Sequence, residues 1–158
     1  MFQEICDRIA REDKTLDTLD FTLCLPTRKK LVPVINALVA HPNVVRDVWM
    51  GSAKLNDEDG AKLALVVAAS NTIRSLNIPC NNFTERTFFA LARALETNRS
   101  LEVLDLYMNR LPIDRFCVDS AFAAALRSNP RRSPKSAWRL YEPAFDDVDF
   151  WRLIAPVQ

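Results

Sequence analysis

A spaced apolar pattern recurs four times along this 158-residue chain and restricts its fold more than any other feature. The pattern is clearest in SLEVLDLYMNRL, residues 100–111, where apolar residues and one asparagine follow the spacing LxxLxLxxNxL. The frame that starts there at Leu101 starts earlier at Ile73, Val45 and Leu16, with a nearly constant spacing. Such a period indicates a strand-plus-helix unit that cannot bury its apolar face alone. The chain is therefore predicted to stack these units into a solenoid.

The periodic apolar residues of each repeat are expected to lie on a short strand and to face the core. They are Leu16, Leu19 and Phe21; Val45, Val48 and Met50; Ile73, Leu76 and Ile78; and Leu101, Leu104 and Leu106. The residues between them should point outward, because side chains alternate along a strand. The strands themselves should be parallel neighbours in chain order.

A helix is predicted after each strand, at residues 28–40, 57–69 and 85–96. In the second of these, Asn56 and the acidic residues 57–59 suit a helix start, because they can cap it and complement its dipole. In the first, Pro33 indicates a late start or a kink. The expected apolar face of the third consists of Phe88, Phe89, Leu91, Ala92 and Leu95.

The two ends of the chain are expected to cover the open flanks of the solenoid. Phe2, Ile5, Cys6 and Ile9 have helical spacing, so residues 1–14 are predicted to form an N-terminal cap helix. Residues 15–130 hold the four repeats, and the last is lengthened around residues 112–117. Residues 131–158 are interpreted as an irregular C-terminal cap with a fifth strand at 137–141 and an aromatic segment at 145–154.

Repeats of this length with long helices resemble the ribonuclease-inhibitor class of leucine-rich repeats. The layout is also similar to the C-terminal domain of tropomodulin and leiomodin, which cap or nucleate actin filaments at the pointed end. The likeness includes the opening IxxRIxxxD at 5–13, the phrase IRSLNIPCNNF at 73–83, and the lengthened last repeat. The resemblance implies one α/β domain over residues 1–158: a right-handed solenoid of four to five repeats, with strands on one face and helices on the other. It also makes actin or an actin-like protein the expected partner.

Composition and motifs argue against several other classes of function. The formal net charge of +1 supplies no strong field for nucleic acid or an anionic membrane surface. His41 is the only histidine and both glycines are isolated, so we expect no enzyme, no cofactor and no metal site. The four widely spaced cysteines are interpreted as reduced and mostly buried, with Cys24 at the corner position of the first repeat. The first residues lack a signal-peptide pattern and no segment resembles a membrane span, so a cytoplasmic location is expected.

The outward side of the strands is the candidate functional surface. The repeat phase places Trp49 there, where it has no core to fill, and Trp, Tyr and Arg dominate interface hot spots. An alternative is that Trp49 folds down over its neighbours, shielded by the stems of Arg46 and Arg74. The residues predicted to bind a protein partner are Arg46, Trp49, Arg74, Asn77, Glu102, Asp105 and Tyr107.

Two functions remain open from the sequence. One is a non-enzymatic interaction module that binds a protein through the strand face or through the C-terminal edge of the solenoid. The other is a structural subunit of a larger intracellular assembly, held by the tail aromatics Phe145, Phe150 and Trp151. A further candidate for contact with acidic protein or nucleic acid is the basic cluster of Arg127, Arg131, Arg132, Lys135 and Arg139, for which a solvated loop is the simpler interpretation.

Overall fold

A computed structural model describes residues 1–110, residues 115–128 and the backbone of residues 137–139. Helices and strands alternate through these residues, as the period predicts. In chain order they are α1 (Phe2–Ala10), β1 (Thr18–Asp20), α2 (Arg28–Ala40), β2 (Asp47–Trp49), α3 (Asp57–Ala69), β3 (Ser75–Asn77), α4 (Glu85–Thr97), β4 (Val103–Asp105), α5 (Arg115–Ser128) and β5 (Ala137–Arg139).

The five described strands form one parallel sheet in the order β1-β2-β3-β4-β5. The register joins equivalent repeat positions, so that Leu19, Val48, Leu76 and Leu104 lie side by side across the first four strands. These pairings have the same spacing along the chain as the apolar pattern of the sequence. The predicted leucine-rich-repeat solenoid is therefore confirmed, with its fifth strand at 137–139.

The core lies between the sheet and the helices. All twelve strand residues predicted to face inward are buried, and none is more than 5% exposed. They pack in one cluster with apolar helix residues such as Leu38, Leu63 and Leu91. The helices therefore cover one face of the sheet and leave the other open. The prediction that Phe89 belongs to the apolar face of its helix is wrong, because Phe89 is 42% exposed and points away from this core.

The helix limits follow local sequence signals closely. Helices α2 and α3 begin and end at the predicted residues, while α1 is shorter and occupies Phe2–Ala10. The Asn56 side chain accepts hydrogen bonds at the start of α3, and Asp59 completes a capping box. The late start expected from Pro33 is wrong, because α2 already begins at Arg28.

The corners after β3 and β4 are closed by buried or half-buried asparagine side chains. Asn81 Oδ1 accepts from the backbone N–H groups of Ala53 and Leu55 at 3.1 and 3.0 Å. Asn109 Oδ1 accepts from the backbone N–H groups of Asn81 and Phe83, both at 3.2 Å. Each asparagine therefore serves backbone groups of the repeat before its own.

Helix α1 lies against the first repeat. Ile9 is fully buried, and the Phe2 ring stacks on Phe21 with 5.5 Å between centroids. Residues 111–114, 129–136 and 140–158 lie outside the described residues, and so do the tail aromatics and Arg131, Arg132 and Lys135 of the basic cluster. The boundaries of the two caps remain predictions.

The cysteines depart from the expectation that most are buried. All four are free, Cys24 and Cys117 are exposed, and Cys6 and Cys80 are half-buried. Burial raises the pKa of the Cys6 thiol, with a smaller contribution from the neighbouring Asp7. Because it is exposed, Cys24 does not fill a buried corner position of the first repeat. Within the described residues, no helix has the length and apolar character needed to cross a bilayer.

Candidate functional site

The strand face is the open side of the sheet, and three rows of side chains cross it. Neighbouring members of a row are about 4.8 Å apart, because they sit on adjacent strands. The central row is Asp20, Trp49, Asn77 and Asp105; the second is Thr18, Asp47, Ser75 and Val103; and the flanking row, just before the strands, is Asp17, Arg46, Arg74 and Glu102.

Trp49 is the large apolar side chain that the described strands expose, with 43% of its surface open to solvent. It lies between Asp20 on β1 and Asn77 on β3. The rest of its surface is covered, so the side chain has both a packed part and an accessible part. Both interpretations of Trp49 made from the sequence, an accessible anchor and a side chain folded over its neighbours, therefore stay open.

Asn77 is buried, although the sequence predicted that it would be open to a protein partner. It is only 5% exposed, and its amide donates to Ser75 Oγ at 2.6 Å within the same strand. The two side chains lie two residues apart on one side of the strand, so the Ser75 hydroxyl can accept one N–H of the Asn77 amide. An outward position is therefore not an exposed one here, and the expectation that Asn77 faces solvent is wrong.

The flanking row has an acid at each end and two arginines between them. Arg46 Nε lies 3.8 Å from Asp17 Oδ1, and Arg74 Nη1 lies 3.4 Å from Glu102 Oε1. The Arg74 N–H donates to the Arg46 carbonyl at 2.7 Å, so the two arginines are neighbours and each pairs with its outer acid. Side chains of these pairs are 44% to 59% exposed, and exposed ion pairs of this kind stabilise a fold by less than about 1 kcal/mol. Both guanidinium groups remain accessible to a partner.

Two acids of the central row begin turns at the strand ends. Asp20 Oδ1 accepts from the Thr22 backbone N–H at 2.8 Å, and Asp105 Oδ1 accepts from the Tyr107 N–H at 2.9 Å. Hydrogen bonds from the Thr22 hydroxyl and N–H hold the pKa of Asp20 below its ordinary value. The Asp20 carboxylate is therefore ionised at neutral pH.

The fold brings most of the predicted site residues together. Arg46, Trp49, Arg74, Glu102 and Asp105 lie on the strand face, and the half-buried Tyr107 follows β4 at its edge. Binding by these residues remains a prediction.

Sequence reasoning missed an apolar corner beside the strand face, formed by Leu23 and Leu25 in the turn after β1. These side chains are 96% and 71% exposed. A third exposed apolar side chain, Met108, lies in the turn after β4 and is 62% exposed. The signal for the corner was available in the sequence, because Leu23 and Leu25 occupy positions of the first repeat that the apolar period does not require.

The single histidine lies at the end of α2, where His41 Nδ1 is 3.4 Å from Glu12 Oε1 near the surface. In the ranges 1–110 and 115–128, no three His, Cys, Asp or Glu side chains are arranged to hold a metal ion.

Comparison with known proteins gives matches at the level of structure. Neither protein-family models nor curated protein sequences match the chain. Among solved structures, leiomodin-1 actin-binding site 2 superposes with a TM-score of 0.75 at 21% identity, over 98% of this chain and 85% of that one. The tropomodulin C-terminal domain of Caenorhabditis elegans superposes with a TM-score of 0.69 at 13% identity, over 97% and 88% of the two chains. The chain therefore has the fold of these leiomodin and tropomodulin domains.

Proposed function

We propose that this chain is a non-enzymatic protein-interaction module of the cytoplasm and that its partner is actin or an actin-like protein. The observation that supports this most directly is the match over 98% of the chain to a domain named as an actin-binding site. Fold alone does not assign function, so the proposal also needs a surface suited to binding.

The strand face is the surface that we propose for this contact. It places the half-exposed Trp49 beside the accessible guanidinium groups of Arg46 and Arg74. An aromatic side chain within a mixed-charge rim is the arrangement in which a few residues supply most of the binding energy.

Actin binding is tested by measuring filament growth with the purified chain present. Elongation at pointed ends should slow in proportion to the bound chain, while elongation at barbed ends stays unchanged. Direct binding to actin monomers and filaments should be measured alongside. No binding and no effect on either end at saturating protein would leave the likeness as one of fold only.

The role of Trp49 is tested by replacing it with alanine. Affinity for the partner should fall by about 2 kcal/mol, or roughly 30-fold, because an accessible anchor is removed. Phe89→Ala is the matched control, since Phe89 has nearly the same exposure, 42%, but projects from the helix side. Its affinity should stay within about twofold of the parent.

The melting temperature of both variants without partner separates binding from folding. If Trp49→Ala loses affinity only in proportion to lost folded protein, Trp49 is structural. An unchanged affinity with intact folding would place the contact elsewhere.

A structural subunit is the second candidate. The tail aromatics on which it was based lie outside the described residues, but the apolar corner of Leu23 and Leu25 favours it independently. Exposed apolar patches mark permanent contacts as well as transient ones. A partner of fixed stoichiometry that resists salt would support this alternative, whereas a salt-sensitive and exchangeable partner supports the interaction module.

A further inference from the structure

The strand face is more acidic than the chain as a whole. The chain has a formal net charge of +1, yet the described side chains of the three rows include only two cations, Arg46 and Arg74. The same rows contain five acids, which are Asp17, Asp20, Asp47, Glu102 and Asp105. A surface of this composition attracts cationic groups and repels anionic ones.

The two arginines do not neutralise the centre of this face. They pair with Asp17 and Glu102 in the flanking row. Among the described residues, Asp20, Asp47 and Asp105 have no ion-pair partner. Their negative charge is therefore available to a ligand.

The acids are best placed at the end of the sheet formed by β1 and β2. Asp20 is the register partner of Trp49, and Asp47 precedes Trp49 by two residues on the same side of β2. Adjacent strands are about 4.8 Å apart, and residues two apart on a strand are separated by about 6.6 Å. Both carboxylates thus lie within reach of one cation placed over the indole.

We propose that the strand face binds a cationic segment of a partner protein, with one Lys or Arg side chain seated on Trp49 between Asp20 and Asp47. The inference rests on the proposed use of the strand face for protein binding. The indole supplies the strongest cation–π face among aromatic side chains. The two carboxylates add charge-assisted hydrogen bonds that an uncharged ligand would not receive.

The first test is an NMR titration of the full chain with a hexalysine peptide, and with a hexaglutamate peptide as its opposite. Hexalysine should shift the indole N–H of Trp49, assigned with Trp49→Phe, together with the backbone amides of Asp20 and Asp47. Raising ionic strength from about 0.05 to 0.3 M should weaken this binding at least about fivefold, since the contact is charge-driven. Hexaglutamate should shift none of these signals.

Charge variants locate the contact. Asp47→Asn should weaken hexalysine binding at least about threefold, and Asp20→Asn should act similarly while keeping the oxygen that accepts from Thr22. The matched control is Glu96→Gln, which removes one exposed acid from helix α4 and should change affinity by less than about 1.5-fold.

Arg46→Gln supplies a result that damage to the fold cannot mimic. It should strengthen hexalysine binding at least about twofold, because it removes a repelling cation and releases Asp17. Three results would each overturn the inference. Hexalysine could shift only helix amides, Glu96→Gln could weaken hexalysine binding as much as Asp47→Asn does, or Arg46→Gln could weaken that binding.

Actin binding is measured separately, so the two proposals can fail independently. If the chain binds hexalysine at Trp49 but does not bind actin, only the actin proposal is wrong. If the chain binds actin but hexalysine does not shift the Trp49 signal, only this inference is wrong.

Discussion

Replacing Asn81 with alanine should destabilise the chain more than most polar substitutions of this size. The Asn81 side chain is 7% exposed and connects three stretches of backbone at the corner between two repeats. It accepts from the N–H groups of Ala53 and Leu55 and donates to the carbonyls of Met50 and Ile78. All four of these hydrogen bonds are buried.

The magnitude follows from the groups left behind. Alanine leaves two buried N–H donors without their acceptor, at about 1 to 3 kcal/mol each. Carbonyls that lose one donor are tolerated better than orphaned N–H groups. We therefore expect a loss of about 3 kcal/mol in the free energy of unfolding, or a fall of about 6 to 12 °C in melting temperature for a chain of this length.

Equilibrium unfolding in urea measures this loss, with Asn82→Ala as the matched control. Asn82 is the same residue type one position later, and it is exposed. Its replacement should change stability by less than about 0.5 kcal/mol. If Asn81→Ala costs no more than Asn82→Ala, the asparagine does not hold the corner and the reasoning is refuted.

Three other perturbations test the packing and the helix starts. Leu104→Ala should cost about 2 to 5 kcal/mol in a urea titration, because it empties a fully buried site between repeats; a cost below about 1 kcal/mol would contradict the register. Gly60→Ala should cost at least about 1 kcal/mol by thermal melting, because its Cβ would overlap the Thr87 side chain, and an unchanged melting temperature would show that α3 and α4 are less tightly packed. Burial raises the pKa of Asp57, but hydrogen bonds from Thr84 and Thr87 outweigh that effect and hold the pKa below its ordinary value. The stability that this carboxylate supplies is present above its unfolded-state pKa and is lost as pH falls through the lower folded-state pKa. Asp57→Asn should therefore reduce the loss of unfolding free energy between neutral and acid pH. An unchanged pH dependence would argue against these bonds.

The sequence predicted the register because a solenoid translates chain spacing directly into strand neighbours. Leu76 and Leu104 are one repeat apart in the chain and adjacent in the sheet. The inward residues also needed no knowledge of long-range contacts, because alternation along a strand decides which side they face.

Exposure was harder to predict, because it depends on what the neighbours cover. Asn77 points outward, but it is only 5% exposed, and its amide donates to the Ser75 hydroxyl. Phe89 follows Phe88 by one residue, about 100° around the helix, so only one of the pair faces the core.

Contacts between the starts of neighbouring helices could not be predicted from the sequence of a single repeat. The acids at the start of α3 were interpreted as capping residues, and Asn56 and Asp59 do form a capping box. The structure adds that Asp59, fully buried, also accepts from Arg28 Nε at 2.6 Å. The two residues are 31 positions apart, and nothing in the local spacing of either indicates the other.

The asparagine corners have a consequence for synthesis of the chain. Asn81 satisfies N–H groups that precede it by 28 and 26 residues, and Asn109 does the same for the next corner. A nascent polypeptide leaves the ribosome from its N-terminus, so each corner emerges before the side chain that completes it. Every repeat closed in this way must wait for its successor, and a stalled or truncated product would end on an unfinished edge.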